Sequence, residues 1–355
     1  MPACDVILYL SSLESKCCDD SFIRHSAREA WELLHSGYYQ DVSIDTRLSF
    51  DRISAITIQS CTSAFTRQYF LDRTYILHAS TTLDSDMSPH ELNVHEITTK
   101  HLTWNTNVSL ELIRTSDNFE ILESSASIES IARMLLIGKP FLIRGGCSSW
   151  SAISAWRDPQ FWLRTYPNRF VPVEVGSYTD DLFIQGIVSL VDFVKFIGSV
   201  ESTDSPQVYL AQHDIFELFP NLSEHVSPTP DLFHAVGASS RRDIFFGPSG
   251  TVTQLHRDPY SNLFCQVVGF KYIKLHDPKD SEMLYLVPGS NSTNLPHDMF
   301  SVTREYLLSK FPLYRSDLVY ECTILPGDCI YIPEGWWHSL KSASVSCSIA
   351  HFVNT

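Results

Sequence analysis

The chain has 355 residues, 44% hydrophobic, 12% aromatic and 19% charged, which excludes a disordered protein and suits two domains or one large domain with an appendage. Lys and Arg number 26 against 41 Asp and Glu, a net charge of −15. No Lys/Arg-rich run tracks phosphates, so nucleic acid is disfavoured as the main ligand and a basic protein or peptide is the better partner.

Near the start, Val6 to Leu10 is a short apolar run preceded by Asp5 instead of a basic segment, and no apolar stretch reaches the roughly 18 residues of a membrane span. The nine Cys are scattered without CxxC spacing, Cys17-Cys18 included, and read as reduced thiols of a nuclear or cytoplasmic protein, neither secreted nor membrane-bound. The segment from Ser21 to Gly37 reads as a helix: Ser21 caps it, Phe22, Ile23, Ala27, Ala30, Trp31 and Leu34 recur at helical spacing, and Gly37 ends it. A second helical stretch runs from about Phe50 to Leu77, broken near Cys61. Residues 83–92 are polar, contain Pro89 and read as a loop. Residues 1–115 are thus expected to form a small helical N-terminal region without a chemical motif, and 116–355 a second domain.

In that second domain Ser127 to Ile137 has helical periodicity behind a Ser cap, with Gly138 and Pro140 as its stop. Phe141–Arg144 reads as a strand. So do Lys271–Leu275, Cys329–Ile332 after a Pro-Gly-Asp turn, and Val345–Phe352, where Val345, Cys347 and Ile349 alternate with Ser346 and Ser348. Short strands divided by turns and long insertions, without intervening helices, predict a mainly β fold, an antiparallel sandwich or barrel with helical additions.

Among 14 His one begins an H-x-D or H-x-E triplet, His256-Arg257-Asp258. Side chains two apart on a strand share a face, so both can reach one metal. A third ligand must come from elsewhere, and His338, at the end of LPGDCIYIPEGWWH, is the candidate. Two imidazoles and one carboxylate form the facial triad of non-haem Fe(II) oxygenases, which leaves three of six positions open. The same triplet also opens a kinase catalytic loop, but Asn262 comes one residue early and neither a glycine-rich loop nor D-F-G is present. Lys271 shares a strand face with Ile273 and Leu275, where an ammonium calls for an anion.

Two stretches, FGPSGTVTQLHRDPYSNLFCQVVGFKYIKL and LPGDCIYIPEGWWH, resemble the metal-bearing motifs of the JmjC hydroxylases. These are Fe(II)- and 2-oxoglutarate-dependent oxygenases built on a cupin-like double-stranded β-helix. The resemblance runs from Ile121 to the C-terminus. VPVEVGS, YLAQHDIF and AWELLHSGYY are similar to one branch, that of Jumonji-domain-containing protein five, first described as a lysine demethylase and now regarded as an arginyl hydroxylase. The resemblance implies His256, Asp258 and His338 as iron ligands. Lys271, with Tyr209 and Thr253, would hold the distal carboxylate of 2-oxoglutarate, and Asn262 would serve its chelating end. Thr253 lies an odd number of residues before His256, so plain alternation places it on the wrong face unless a bulge intervenes.

For substrate, the resemblance implies Glu174 and Phe245, the latter where the branch usually carries Trp; an aromatic wall survives there without the indole donor. It implies hydroxylation of a protein side chain, arginine first, with O2 as cosubstrate. N-methyl-lysine demethylation and a catalytically idle binding module are the alternatives. His351 reads as a core histidine and Trp336 and Trp337 as packing at the barrel mouth, while His213 receives no role. A monomer is expected.

Overall fold

The computed structural model describes residues 102–104, 106, 115–167, 169–176, 184–199, 208–227 and 239–353. The expected N-terminal helices, the 83–92 loop and Cys17-Cys18 lie outside these residues. Two compact units share the chain: one takes 1–100, Trp162–Val173 and Gln185–Phe193, the other His101–Phe161, Glu174–Ile184 and Val194–Thr355. Among the described residues no helix is long and apolar enough to cross a membrane.

The strands are β1 (Glu120–Glu123), β2 (Phe141–Arg144), β3 (Phe170–Val175), β4 (Ile184–Ser189), β5 (Val208–His213), β6 (Ser239–Gly247) and β7 (Val252–Arg257), followed by β8 (Ser261–Val268), β9 (Lys271–His276), β10 (Tyr320–Ile324), β11 (Cys329–Ile332), β12 (Trp337–Ser342) and β13 (Ser346–Val353). In the second unit the larger sheet runs β1-β2-β11-β8-β13-β6-β5, with Glu174 and Val175 of β3 paired to Tyr209 and Val208 of β5. The smaller sheet runs β10-β9-β12-β7. Within the first unit the described residues carry β4, the start of β3 and a bond from Leu190 N–H to the Arg169 carbonyl.

The two sheets of the second unit form a jelly roll, the mainly β cupin-like architecture expected, although they are two hydrogen-bonded ladders and not one closed barrel. Leu142, Phe264, Ile330, Ile332 and Ala350 of the larger sheet meet Ile273, Leu275, Ile324 and Leu340 of the smaller in one buried cluster. Each aliphatic side chain buried this way stabilises by about 1.5–3 kcal/mol.

Helix α1 (Ile128–Ile137) starts as its sequence dictates: the Ser127 hydroxyl accepts from Ser130 N–H, and Gly138 ends the helix at φ 68°. Strand β13 departs from simple alternation of exposure, because its serine face is buried as well. Gln266 of β8 explains this. It is fully buried, donates to Ser346 Oγ (2.9 Å) and accepts from Ser348 Oγ (2.7 Å), so the polar face is satisfied from inside the sheet.

Between β9 and β10 the chain makes a long excursion, residues 277–319, containing helix α2 (Arg304–Lys310). Its Leu284, Leu295, Met299, Leu307 and Tyr314 bury Leu255 of β7 and Trp337 of β12. The smaller sheet is therefore covered on both faces. The neighbouring tryptophans part company: Trp336 joins the inter-sheet core and Trp337 the outer cluster.

Candidate active site

Strands β7 and β12 pair antiparallel with His256 opposite His338, which brings the two ring centres within 4.2 Å with their planes tilted by 54°. Asp258, just past β7, places one oxygen 3.8 Å from His256 Nε2 and the other 3.5 Å from His338 Nε2. Adjacent donors on an octahedral ion with bonds of about 2.1 Å lie about 3 Å apart, so small side-chain shifts close the set on a metal. The backbone fixes which nitrogen faces it. His256 Nδ1 bonds to the Gln254 carbonyl (2.8 Å) and His338 Nδ1 to the Trp336 carbonyl (3.0 Å), an N–H donation in each case that leaves Nε2 with its lone pair. Burial, with the His256 ring beside it, lowers His338 to about 4, so it is a neutral donor at physiological pH.

Beside the triad, Tyr209, Phe245, Thr253, Asn262, Phe264, Lys271 and Leu340 line an inner recess. Lys271 is 1% exposed, and burial drives it down to about 7. Its Nζ donates to Tyr209 Oη (2.8 Å) and lies 5.3 Å from the Tyr209 and Phe264 ring centres. No carboxylate among the described residues pairs with it. Tyr209, pushed up by burial, stays a neutral phenol and hydrogen-bonds Thr253. The Asn262 Oδ1 is buried without a hydrogen-bond partner.

Thr253 reaches this recess through a bulge. His338 faces His256 and Leu340 faces Thr253, so two steps along β12 match three along β7. The extra residue brings Thr253 back to the face of His256, against plain alternation.

Residues 127–354 match the family model described as a cupin-like domain. The chain is 31% identical over 255 residues to Jumonji C domain-containing protein 5 of Drosophila melanogaster, covering 67% of this chain and 61% of that protein. It is 36% identical over 220 residues to lysine-specific demethylase 8 of Danio rerio, covering 60% of this chain and 52% of the relative. A more distant relative, the human bifunctional peptidase and (3S)-lysyl hydroxylase JMJD7, is 24% identical over 245 residues, 60% of this chain and 76% of that protein. The chain belongs to the JmjC family. JmjC enzymes are dioxygenases that use Fe(II) and 2-oxoglutarate.

The residues of this JmjC domain fit both groups. Two imidazoles and a carboxylate suit a six-coordinate Fe(II) and leave positions open. A buried ammonium that no carboxylate among the described residues pairs with is costly alone and is relieved when an anionic, metal-bound ligand arrives; toward such a ligand Asn262 has its Nδ2–H to donate, not the Oδ1 acceptor. The recess measures about 30 Å³ as it stands, room for about one water. Its walls must part for a five-carbon diacid, and Phe245 and Phe352 are the aromatic walls it shares with the outer cleft.

That cleft, about 760 Å³, opens in front of the triad and is lined by Gln212, Arg241, Asp243, Tyr260 and Asn291 besides Phe245 and Phe352. Phe245 thus faces both cavities. Glu174 lines neither; it is buried (6% exposed) opposite Tyr209 on the neighbouring strand, so it is not a surface carboxylate. His351 is a core residue beside Trp150. Reading the sequence missed Arg241 and Asp243. The Arg241 guanidinium grips the nearly buried Asp243 carboxylate through Nε (2.7 Å) and a terminal nitrogen (2.6 Å), and also donates to the Gln212 carbonyl (2.9 Å). Gln212 sits at φ 59°, a left-handed conformation uncommon outside glycine, in an irregular stretch of β5. The quoted YLAQHDIF contains Gln212, but no residue type announces the strain.

Proposed function

We propose that this chain hydroxylates a C–H bond of a protein side chain, with arginine as the target. The observation that carries the oxygenase reading is the convergence of His256, Asp258 and His338 beside a recess whose Lys271 pairs with no carboxylate among the described residues. Bound Fe(II) and 2-oxoglutarate would supply the oxidising power, with O2 as cosubstrate.

The chain's own residues do the rest. Asp258 offsets part of the metal's charge, and the tethered Nδ1 groups hold both imidazoles in the ligating tautomer. Lys271, Tyr209 and Thr253 receive the distal carboxylate of 2-oxoglutarate, and Asn262 orients its chelating end. Phe245 and Phe352 keep water from the reacting face until substrate enters. Positioning of the target C–H falls to the cleft.

Arginine is supported by the cleft itself, where Asp243 already holds a planar guanidinium, that of Arg241, by two hydrogen bonds. The net charge of −15 suits a basic protein partner. Phe245, which faces both cavities, keeps its proposed substrate role, whereas Glu174, which lines neither, is proposed to act only through Tyr209 opposite it and not by gripping the substrate. A nuclear or cytoplasmic setting agrees with free Cys147, Cys265, Cys322, Cys329 and Cys347. The name of the Danio rerio relative favours a second reading, N-methyl-lysine demethylation. Succinate formation with Fe(II), 2-oxoglutarate and O2, run with arginine and methyl-lysine peptides, separates the two. One added oxygen on an unmethylated arginine peptide supports hydroxylation, whereas formaldehyde with loss of a methyl group overturns it in favour of demethylation.

A further inference from the structure

Three thiols from separate segments of the second unit meet on the face of β8 opposite the recess. Cys265 and Cys329 are cross-strand partners on β8 and β11, with Sγ atoms 3.4 Å apart. Cys147, in the turn after β2, brings its Sγ to within 4.8 Å of both. All three are free and fully buried, at 0% exposure. Asn262 and Phe264, on the other face of the same strand, line the recess.

The turn that delivers Cys147 is held from several sides. Cys147 N–H donates to the Gly327 carbonyl (2.8 Å), and the Asp328 carboxylate accepts from Gly145 N–H (3.0 Å) and Leu325 N–H (2.9 Å) while pairing with Arg144. Gly146 permits the close approach, since a Cβ there would lie 3.1 Å from Cys329 Sγ.

We propose that Cys147, Cys265 and Cys329 form a three-thiolate site for a soft d10 metal ion, copper(I) or zinc(II). Three sulfurs bonded at about 2.3 Å in a trigonal plane stand about 4 Å apart, and the separations of 3.4 Å and at most 4.8 Å bracket that value. An all-sulfur donor set selects soft ions over Fe(II) or Mg(II). Among the described residues the cluster includes no histidine or carboxylate, and the nearby Asp328 carboxylate is already engaged. Three donors without a fourth suit copper(I), whereas zinc(II) would need one more. Loading converts thiols to thiolates and so releases protons.

The test uses the full chain, reduced and anaerobic, offered copper(I) or zinc(II) in separate arms against a chromogenic chelator. Every protein carries His338→Ala, so that the facial triad holds no zinc(II) of its own; with wild-type thiols, and with Cys17→Ser/Cys18→Ser, one equivalent should be retained, and Cys147→Ser should lose it while keeping its circular dichroism spectrum. X-ray absorption should count three sulfur neighbours, and the metal retained names the ion. Alkylation in mild denaturant adds a check on the wild-type thiols alone: bound metal should shield Cys147, Cys265 and Cys329 but not Cys322. Equal retention with wild-type thiols and with a folded Cys147→Ser, absence of retention of either metal, or no selective shielding overturns the site and leaves the thiols as core packing.

Discussion

The buried ammonium of Lys271, proposed to hold the distal carboxylate, should make 2-oxoglutarate affinity a function of pH. In the free protein Lys271 is held at about 7 by burial, and the groups facing it, Tyr209 and Cys347, are themselves pushed up by burial and stay neutral. A dicarboxylate requires the charged form. At about pH 7 half the molecules present it and at about pH 9 only about one in a hundred, so affinity should fall about 50-fold over that interval, or about 2 kcal/mol. Binding must then take up a proton. The same shift acts on folding: the unfolded chain holds this proton up to its ordinary 10.5, so the 2-oxoglutarate-free fold gains stability as pH rises from about 7 toward 10.5. Calorimetry on anaerobic, Mn(II)-loaded protein in two buffers of different ionisation enthalpy reads affinity and proton uptake together. Lys271→Met should bind about 10–100-fold more weakly at neutral pH and lose this pH dependence. An affinity flat between about pH 7 and 9, with no proton uptake, would refute the placement of Lys271 at the carboxylate.

His338→Ala should lower Mn(II) retention by about 100-fold or more, seen as free Mn(II) in electron paramagnetic resonance, with the fold intact. Thr253→Val should cost 2-oxoglutarate about 0.5–1.5 kcal/mol of binding; an unchanged dissociation constant would mean that the bulge does not serve the ligand. Gly269 turns β8 into β9 at φ 63°, and a Cβ there would lie 1.9 Å from the Val345 carbonyl oxygen. Gly269→Ala should therefore fail to yield folded protein, while Gly289→Ala, at φ 75° with open space around it, should lose only about 1 kcal/mol in urea melts. Asp328→Ala strips Arg144, Gly145 and Leu325 of one shared acceptor and should cost about 3 kcal/mol, a fall of about 10 °C in melting temperature, whereas Asp328→Asn should lose less.

The parts of this fold written in short-range pattern were legible. Ser127 and Gly138 announce α1, alternation puts Lys271 with Ile273 and Leu275, and the two-residue step from His256 to Asp258 carries over directly. Thr253 was not legible from parity, because the bulge that returns it to the site shows itself only in the pairing of β7 with β12. Asp243 and Arg241 reach the cleft on β6, whose sequence carries no signature of binding. The thiols of Cys147, Cys265 and Cys329 are brought together by the larger sheet, and no spacing rule spans such separations.

Residues 277–319 offer a different handle on the catalyst. Leu255 and Trp337, each one position before a histidine of the proposed triad, are sunk into this excursion's apolar cluster, so the imidazoles ride on strands pegged from behind. Shortening or exchanging the excursion would leave every metal-binding residue in place yet let β7 and β12 slide or twist. A segment that looks like decoration between two strands is thus a place where tolerance for metal, and with it oxidation that runs without substrate, can be tuned from a distance.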